Sequence, residues 1–190
     1  LTAMDYKIVF DSDRTDSDVV VINTCGFIGD AKQESIDTIL RAAQLKMEGR
    51  IEELFVIGCL SQSYADELRE ELPEVDEFFG VNDWAGIVER LGAKYREELT
   101  THRELSTPSH YAYLKISEGC NWMCGYCAIP LIRGRHHSVP MEELVAEAEK
   151  LGFTSIIIPR YNMQGIDKSK YKIEIIPVRK VEEAFRLIFG

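Results

Sequence analysis

The chain has 190 residues, a hydrophobic fraction of 45% and a formal net charge of −10. This length suits one domain or a small pair, and the hydrophobic fraction supports a packed core. The acidic balance argues against a broad nucleic-acid-binding surface, and no apolar stretch has the length of a membrane span or of a signal peptide. The five cysteines are an odd number without a secretion signal, so a reducing cytoplasm and metal ligation fit better than disulfides.

The first half of the chain alternates between segments typical of strands and segments typical of helices. Strands are predicted at residues 6–10, 18–23, 54–58 and 77–81, helices at residues 30–47, 63–72 and 83–91, and a polar turn at residues 11–18. Alternation of this kind predicts a parallel α/β sheet with helices packed against it.

The apolar pattern indicates which faces of these elements are buried. The run at residues 18–23 is largely β-branched, which predicts a strand buried on both faces of the sheet. The first helix carries one apolar stripe, formed by Ile36, Ile39, Leu40, Ala43 and Met47. Ser63 is predicted to cap the second helix, because Asp66 follows three residues later and Pro73 comes after the end.

Two cysteines lie just past the ends of predicted buried strands. Cys25 follows the strand at residues 18–23, and Cys59 follows the strand at residues 54–58. Ligands of parallel α/β sheets gather beyond the carboxyl ends of the strands, so both thiols are expected on the same rim. The alternative is that each cysteine is a small buried hydrophobic residue.

The sequence segments around these cysteines, residues 23–37 and 58–60, resemble the amino-terminal domain of the methylthiotransferase family. The resemblance implies a parallel, Rossmann-like, three-layer domain over residues 1–99. In that family three cysteines of this domain ligate an auxiliary 4Fe–4S cluster, and Cys25 and Cys59 match two of them. The third belongs to an earlier strand-end loop that we do not expect in this chain, so the second cluster is expected to be incomplete.

A polar linker is predicted next, at residues 93–109, and we divide the domains at residues 100–110. His102 and His110 lie in or beside this linker and are expected to be solvated rather than to ligate a metal. Residues 111–117 then alternate like a strand, which leads into a loop rich in cysteine.

Three cysteines in this loop, Cys120, Cys124 and Cys127, have C-x-x-x-C-x-x-C spacing with glycines beside them. Thiolates hold iron–sulfur clusters. The conformational freedom of glycine would let the loop turn so that three sulfurs face one point. The alternatives are a zinc knuckle and buried free thiols.

The same loop resembles the radical S-adenosylmethionine superfamily, with Tyr126 at its aromatic position before the third cysteine. The resemblance implies a 4Fe–4S cluster on the three cysteines, with an open iron that binds S-adenosylmethionine. It also implies that residues 111–148 are the first part of a β/α barrel. Arg133 lies in an Arg-Gly segment that the family has near its cofactor, where it could meet a carboxylate; the alternative is a basic surface turn. A helix is predicted at residues 141–151, after Pro140.

The tail, residues 149–190, departs from the barrel pattern. It predicts strands at residues 156–158 and 173–178 and a helix at 181–189 that is amphipathic at Val181, Ala184, Phe185 and Ile188. Its sequence resembles the carboxyl end of the DNA-repair ATPase RadA family, which is a Lon-protease-like segment. The resemblance implies a fusion near residues 146–152; the alternative is a divergent barrel strand and helix.

The resemblances imply a fragment of a methylthiotransferase of the branch that modifies an aspartate of a small-subunit ribosomal protein, catalytically incomplete in this chain. The implied partner is that ribosomal protein, whose basic character would suit an acidic enzyme. The alternatives are a folded, inactive chimera with vestigial cysteines, a relative that modifies transfer RNA, and a structural zinc module. Unpaired edge strands also predict dimerisation or segment swapping.

Overall fold

The computed structural model describes residues 6–10, 17–95, 108 and 111–190. The chain divides into two compact units: residues 1–102 with 119–135, and residues 103–118 with 136–190. Most of the predicted turn at residues 11–18, most of the predicted linker, and both His102 and His110 lie outside the described residues.

The first unit contains a parallel three-stranded sheet and its helices. Its elements are β1 (Ser17–Thr24), α1 (Gly29–Met47), β2 (Ile51–Gly58), α2 (Cys59–Glu71), β3 (Glu77–Phe79), α3 (Trp84–Arg90) and α4 (Ile129–Arg133). The strand order is β1-β2-β3, and both pairs of strands are parallel. The predicted parallel α/β class is therefore confirmed.

The central strand, β2, separates two apolar clusters. Leu54 and Val56 pack with residues of α1 and α2, whereas Phe55 and Ile57 pack with Phe79 and with Ile87 of α3 on the other face. All four β2 side chains are fully buried, and each contributes roughly 1.5–3 kcal/mol by leaving water. Helices thus cover both faces of the sheet, which gives the three layers that the family resemblance implies.

The prediction that the first long strand is buried on both faces is wrong. In β1 only Ile22 and Thr24 are buried, and Val21 keeps 38% of its surface exposed. The physical reason is that β1 is an edge strand, since β2 is its one neighbour among the described residues. The strand predicted at residues 6–10 is also wrong: these residues are largely exposed and pair with no strand in the described part of the chain.

The predicted stripe of α1 is partly wrong. The helix buries Ser35, Ile39, Ala42 and Ala43, whereas Leu40 and Met47 are 49% and 63% exposed. Ile39 and Ala43 belong to both sets, so the buried face is rotated about the axis relative to the prediction. The small alanines let the helix approach the sheet closely, and burial then favours the face on which they lie.

Helix α2 begins earlier than its predicted cap. It starts at Cys59 instead of after Ser63, and Tyr64 interrupts it with non-helical angles (φ −135°, ψ 27°). Gly58 makes this start possible, because it has a φ of +118° and a Cβ there would collide with the Thr24 carbonyl oxygen. Only glycine fits such a position. The start of α3 agrees better with prediction, since Asp83 accepts a hydrogen bond from the Gly86 N–H at 3.0 Å.

The second unit contains two small sheets. Its elements are β4 (Ser117–Glu118), β5 (His137–Ser138), α5 (Met141–Lys150), β6 (Ser155–Pro159), β7 (Glu174–Val178) and α6 (Val181–Phe189). β4 and β5 are antiparallel, and β6 and β7 are parallel. The strand predicted at residues 111–117 is therefore wrong except at its last residue, because its partner β5 is only two residues long.

The core of the second unit lies between α5 and the β6–β7 pair. Its buried members are Val145, Ala148, Ile158, Ile173 and Ile175. Helix α6 forms at the predicted residues, but none of these nine described residues is buried, and Phe185 and Ile188 are more than half exposed. Among the described residues, no helix has both the length and the apolarity needed to cross a membrane.

Candidate functional site

Cys25 and Cys59 lie side by side at the carboxyl edge of the parallel sheet. Thr24 of β1 pairs with Gly58 of β2. Cys25 directly follows Thr24, and Cys59 directly follows Gly58. The backbones stay close beyond this pair, since a Cβ on Gly26 would lie 2.8 Å from the carbonyl carbon and oxygen of Cys59. The structure therefore brings these two sequence-predicted residues to one rim, as expected for parallel strands.

The loop that carries Cys25 is held by Ser35 of α1. The Cys25 N–H donates to Ser35 Oγ at 3.1 Å, and the Ser35 hydroxyl donates to the Ala31 carbonyl at 2.8 Å. Ser35 is itself buried. Ser35 was not among the residues predicted from the sequence; a polar residue inside the buried face of a predicted helix is the signal that could have identified it.

Cys59 is 3% exposed and is the first residue of α2. Arg133, the last residue of α4, places its Nη2 atom 3.2 Å from the Cys59 sulfur and donates to it. The sequence pattern suggested a carboxylate for Arg133 and did not predict this contact, because the two residues are 74 positions apart.

The three-cysteine loop connects β4 to α4. Gly119 opens it with a φ of +74°, and a Cβ there would collide with the Arg135 carbonyl oxygen. The loop is closed by a hydrogen bond from the Cys120 N–H to the Gly134 carbonyl at 3.1 Å, and the Cys127 N–H donates to the Cys124 carbonyl at 3.0 Å. The Trp122 N–H points at the Cys120 sulfur, at 3.4 Å.

The side chains of this loop face solvent rather than a core. Cys124 is exposed, and Cys120 and Cys127 are partly exposed. Trp122 and Tyr126 are 78% and 96% exposed. These exposures count against the alternative that the three loop thiols are core filler, whereas the buried thiol of Cys59 is compatible with either of its two interpretations.

The three loop cysteines match the implied iron–sulfur cluster in chemistry but are not arranged around one point. Within the described parts of the chain, no three His, Cys, Asp or Glu side chains are grouped closely enough to hold a metal ion. The loop sulfurs are thus not preassembled around one point. Their chemistry nevertheless fits, because all three are free thiols of the type that iron–sulfur clusters use, and metal binding commonly completes the ordering of its own ligands.

Residues 1–80 match the family described as "Uncharacterized protein family UPF0004". The chain is similar to ribosomal protein uS12 methylthiotransferases RimO. The protein from Bacteroides fragilis is 49% identical over 90% of this chain, and the one from Phocaeicola vulgatus is 45% identical over 99% of it. The protein from Porphyromonas gingivalis is 51% identical over 77%. The resemblance to the methylthiotransferase family is therefore confirmed over most of the chain.

The chain spans 40%, 43% and 34% of the lengths of these three curated relatives. The Phocaeicola vulgatus alignment covers 99% of the chain and so includes most or all of the tail. The comparisons thus give no support to the RadA-like origin that the sequence of residues 149–190 suggests.

Proposed function

We propose that the chain is part of an iron–sulfur methylthiotransferase that uses S-adenosylmethionine and adds a methylthio group to an aspartate of ribosomal protein uS12. The observation that carries this proposal is the similarity to the uS12 methylthiotransferase of Phocaeicola vulgatus, whose alignment covers 99% of the chain and therefore takes in the cysteine loop. When bound, a 4Fe–4S cluster with an open iron supplies the electron that cleaves S-adenosylmethionine.

In this proposal the thiolates of Cys120, Cys124 and Cys127 hold the cluster. The backbone hydrogen bond from Cys120 to Gly134 fixes the two ends of the loop, while the exposed middle of the loop can rearrange around its ligand. Close spacing on a closed loop reduces the entropy lost when three sulfurs converge. The residues between the cysteines therefore matter less for ligation than the anchored ends.

Tyr126 and Arg133 are the proposed contacts to S-adenosylmethionine. Tyr126 precedes the third cysteine, and its ring is 96% exposed, so it can lie against a bound molecule without leaving a core. The guanidinium group of Arg133 has the planar donor geometry that suits a carboxylate.

Cys25 and Cys59 are proposed as two ligands of a second cluster at the sheet edge. Their neighbouring positions support this assignment. A cluster at that rim would still need a further ligand, because the described residues place no third cysteine beside them.

Anaerobic reconstitution with iron and sulfide tests the ligand assignment. The expected product is a brown protein with one 4Fe–4S cluster, detected by its absorption spectrum and, after reduction, by electron paramagnetic resonance. The triple variant Cys120→Ala, Cys124→Ala and Cys127→Ala should lose that cluster, and the matched double variant Cys25→Ala and Cys59→Ala should keep it. Stoichiometric zinc without iron, or a cluster that survives the triple change, would contradict the proposal.

The substrate class is tested by binding. A net charge of −10 favours a basic protein over an RNA backbone, because like charges repel at an interface. We expect isolated uS12 to bind more tightly than transfer RNA in a fluorescence titration at matched ionic strength. Tighter binding of transfer RNA would favour the RNA-modifying branch instead.

Cleavage of S-adenosylmethionine above background by the reduced, reconstituted chain would exclude an inactive chimera.

A further inference from the structure

A continuous set of contacts joins the two cysteine groups within the first unit. Cys120 is tied to Gly134 by a backbone hydrogen bond at 3.1 Å. Arg133, the neighbour of Gly134, donates to the sulfur of Cys59 at 3.2 Å. The backbone of Cys59 in turn packs against Gly26, the neighbour of Cys25.

Arg133 provides the side-chain contact in this set. Its partner is buried, since Cys59 is 3% exposed, so the guanidinium reaches a sulfur that solvent scarcely touches. Hydrogen bonds from a charged donor are shorter and stronger than those from neutral donors. Helix α4 is only five residues long, and a helix this short depends on such tertiary contacts for its position.

We infer that Arg133 is a positioning residue: by holding the sulfur of Cys59, its guanidinium keeps the three-cysteine segment, residues 119–135, against the edge of the sheet. This inference goes beyond the proposed function, and it does not require that the cysteines bind iron. It also gives Arg133 a role in the chain without any bound cofactor. The contact uses the Nη2 nitrogen, one of the two terminal nitrogens of the guanidinium fork.

Hydrogen–deuterium exchange on the full chain, measured without added metal, tests the inference. Arg133→Met removes the donor while it keeps a long apolar side chain, and Cys59→Ala removes the acceptor. Each is expected to speed amide exchange in residues 119–135 about tenfold, the size expected when a charge-assisted contact that limits local opening is lost. The double variant is expected to exchange no faster than either single one, because both changes break the same contact.

Matched variants separate this contact from a general loss of structure. Arg135→Met removes an exposed arginine two residues away and should leave exchange within about twofold of the parent chain. Arg133→Lys and Cys59→Ser retain a donor and an acceptor, and each should restore part of the protection. Amides of β2 serve as an internal standard and should keep their slow exchange throughout.

Three results would overturn the inference. The first is unchanged exchange in Arg133→Met. The second is an additive effect in the double variant, about a hundredfold. The third is equal loss of protection in Cys59→Ser and Cys59→Ala. The outcome is independent of the reconstitution experiment, so failure here leaves the proposed cluster in place, and absence of a cluster leaves this contact in place.

Discussion

Gly58 ends β2 with a φ of +118°, and its missing side chain leaves room for the backbone of Thr24 in the neighbouring strand. The residue therefore has two separate reasons to be glycine. It reverses the chain into α2, and it lets Cys59 follow the strand at the same level as Cys25. Close approach at Gly26 has a related effect on the other cysteine.

Gly58→Ala is expected to lower the free energy of unfolding by about 3 kcal/mol or more, from left-handed strain of about 1–2 kcal/mol together with the backbone collision. Gly49→Ala is the matched control, because Gly49 also has a positive φ (73°) but no atom within 4 Å of its Cβ position. It should cost about 1–2 kcal/mol, from the left-handed strain alone. Urea denaturation measures both. Equal losses would show that the collision at Gly58 contributes nothing.

Asp76 is held in its charged form at the end of the loop between α2 and β3. Burial disfavours its charge, but hydrogen bonds from the Lys46 ammonium and from the Leu54 N–H at 2.7 Å, with the charges of Lys46 and Arg90, outweigh burial. The pKa of Asp76 is therefore below its ordinary value of 3.8. A carboxyl of this kind adds stability above its unfolded-state pKa, and that stability is lost as the pH falls through its folded-state pKa.

Asp76→Asn is accordingly expected to lower the free energy of unfolding at neutral pH by about 1 kcal/mol. The difference from the parent chain should shrink as the pH falls below 3.8, since protonation then removes the same charge from the parent. Thermal unfolding at a series of pH values measures this. Asp66→Asn is the control, because the Asp66 side chain is 96% exposed and such pairs contribute little. A difference that is constant with pH would contradict the assignment.

At the scale of elements, local sequence signals determine where α1 begins and ends, whereas tertiary contacts determine which of its faces is buried. The helix spans Gly29–Met47, within one residue of prediction, because its apolar spacing and the glycine beyond its end are local signals. Its buried face was misjudged, because Leu40 and Ile39 are equally apolar and only the position of the sheet distinguishes them. Strand β1 shows the same limit: its residues read as doubly buried, but its place at the sheet edge leaves one face partly exposed.

The corrected face of α1 makes a direct prediction. Ile39→Ala removes a side chain with no exposed surface from the larger core and should cost about 2–5 kcal/mol, the range for isoleucine in a packed core. Leu40→Ala, one residue later and 49% exposed, should cost less than about 1 kcal/mol. Chemical denaturation of the two variants compares them. Similar losses would indicate that the original stripe, with Leu40 inside, is the buried one.

At the scale of the whole molecule, the two units have cores of unequal size. The first unit contains two apolar clusters on either side of β2, whereas the described part of the second unit has one cluster with five buried members. Smaller cores bury less apolar surface and are less stable. Both tryptophans of the chain, Trp84 and Trp122, fall within the first unit.

We therefore expect two unfolding transitions. The helical signal in circular dichroism should begin to fall at a lower urea concentration, as the second unit unfolds. Tryptophan fluorescence should change at a higher urea concentration, because it reports the first unit alone. Val145→Ala, at a fully buried position of the smaller core, should lower the first midpoint by an amount equivalent to about 2 kcal/mol and leave the fluorescence midpoint unchanged. Coincident transitions in the parent chain and in Val145→Ala would mean that the chain unfolds as one cooperative unit.

The dimer or segment swap expected from unpaired edge strands stays a prediction, as do the ligand roles of the five cysteines. The sequence by itself determined the parallel α/β class, most element positions and the family resemblance, because strand and helix periodicity and the cysteine spacing are local properties. Only the tertiary structure decided which strand is an edge, which face of α1 is buried, where α2 begins and that Arg133 meets Cys59. Each of these depends on residues that are distant in sequence and become neighbours only when the chain packs.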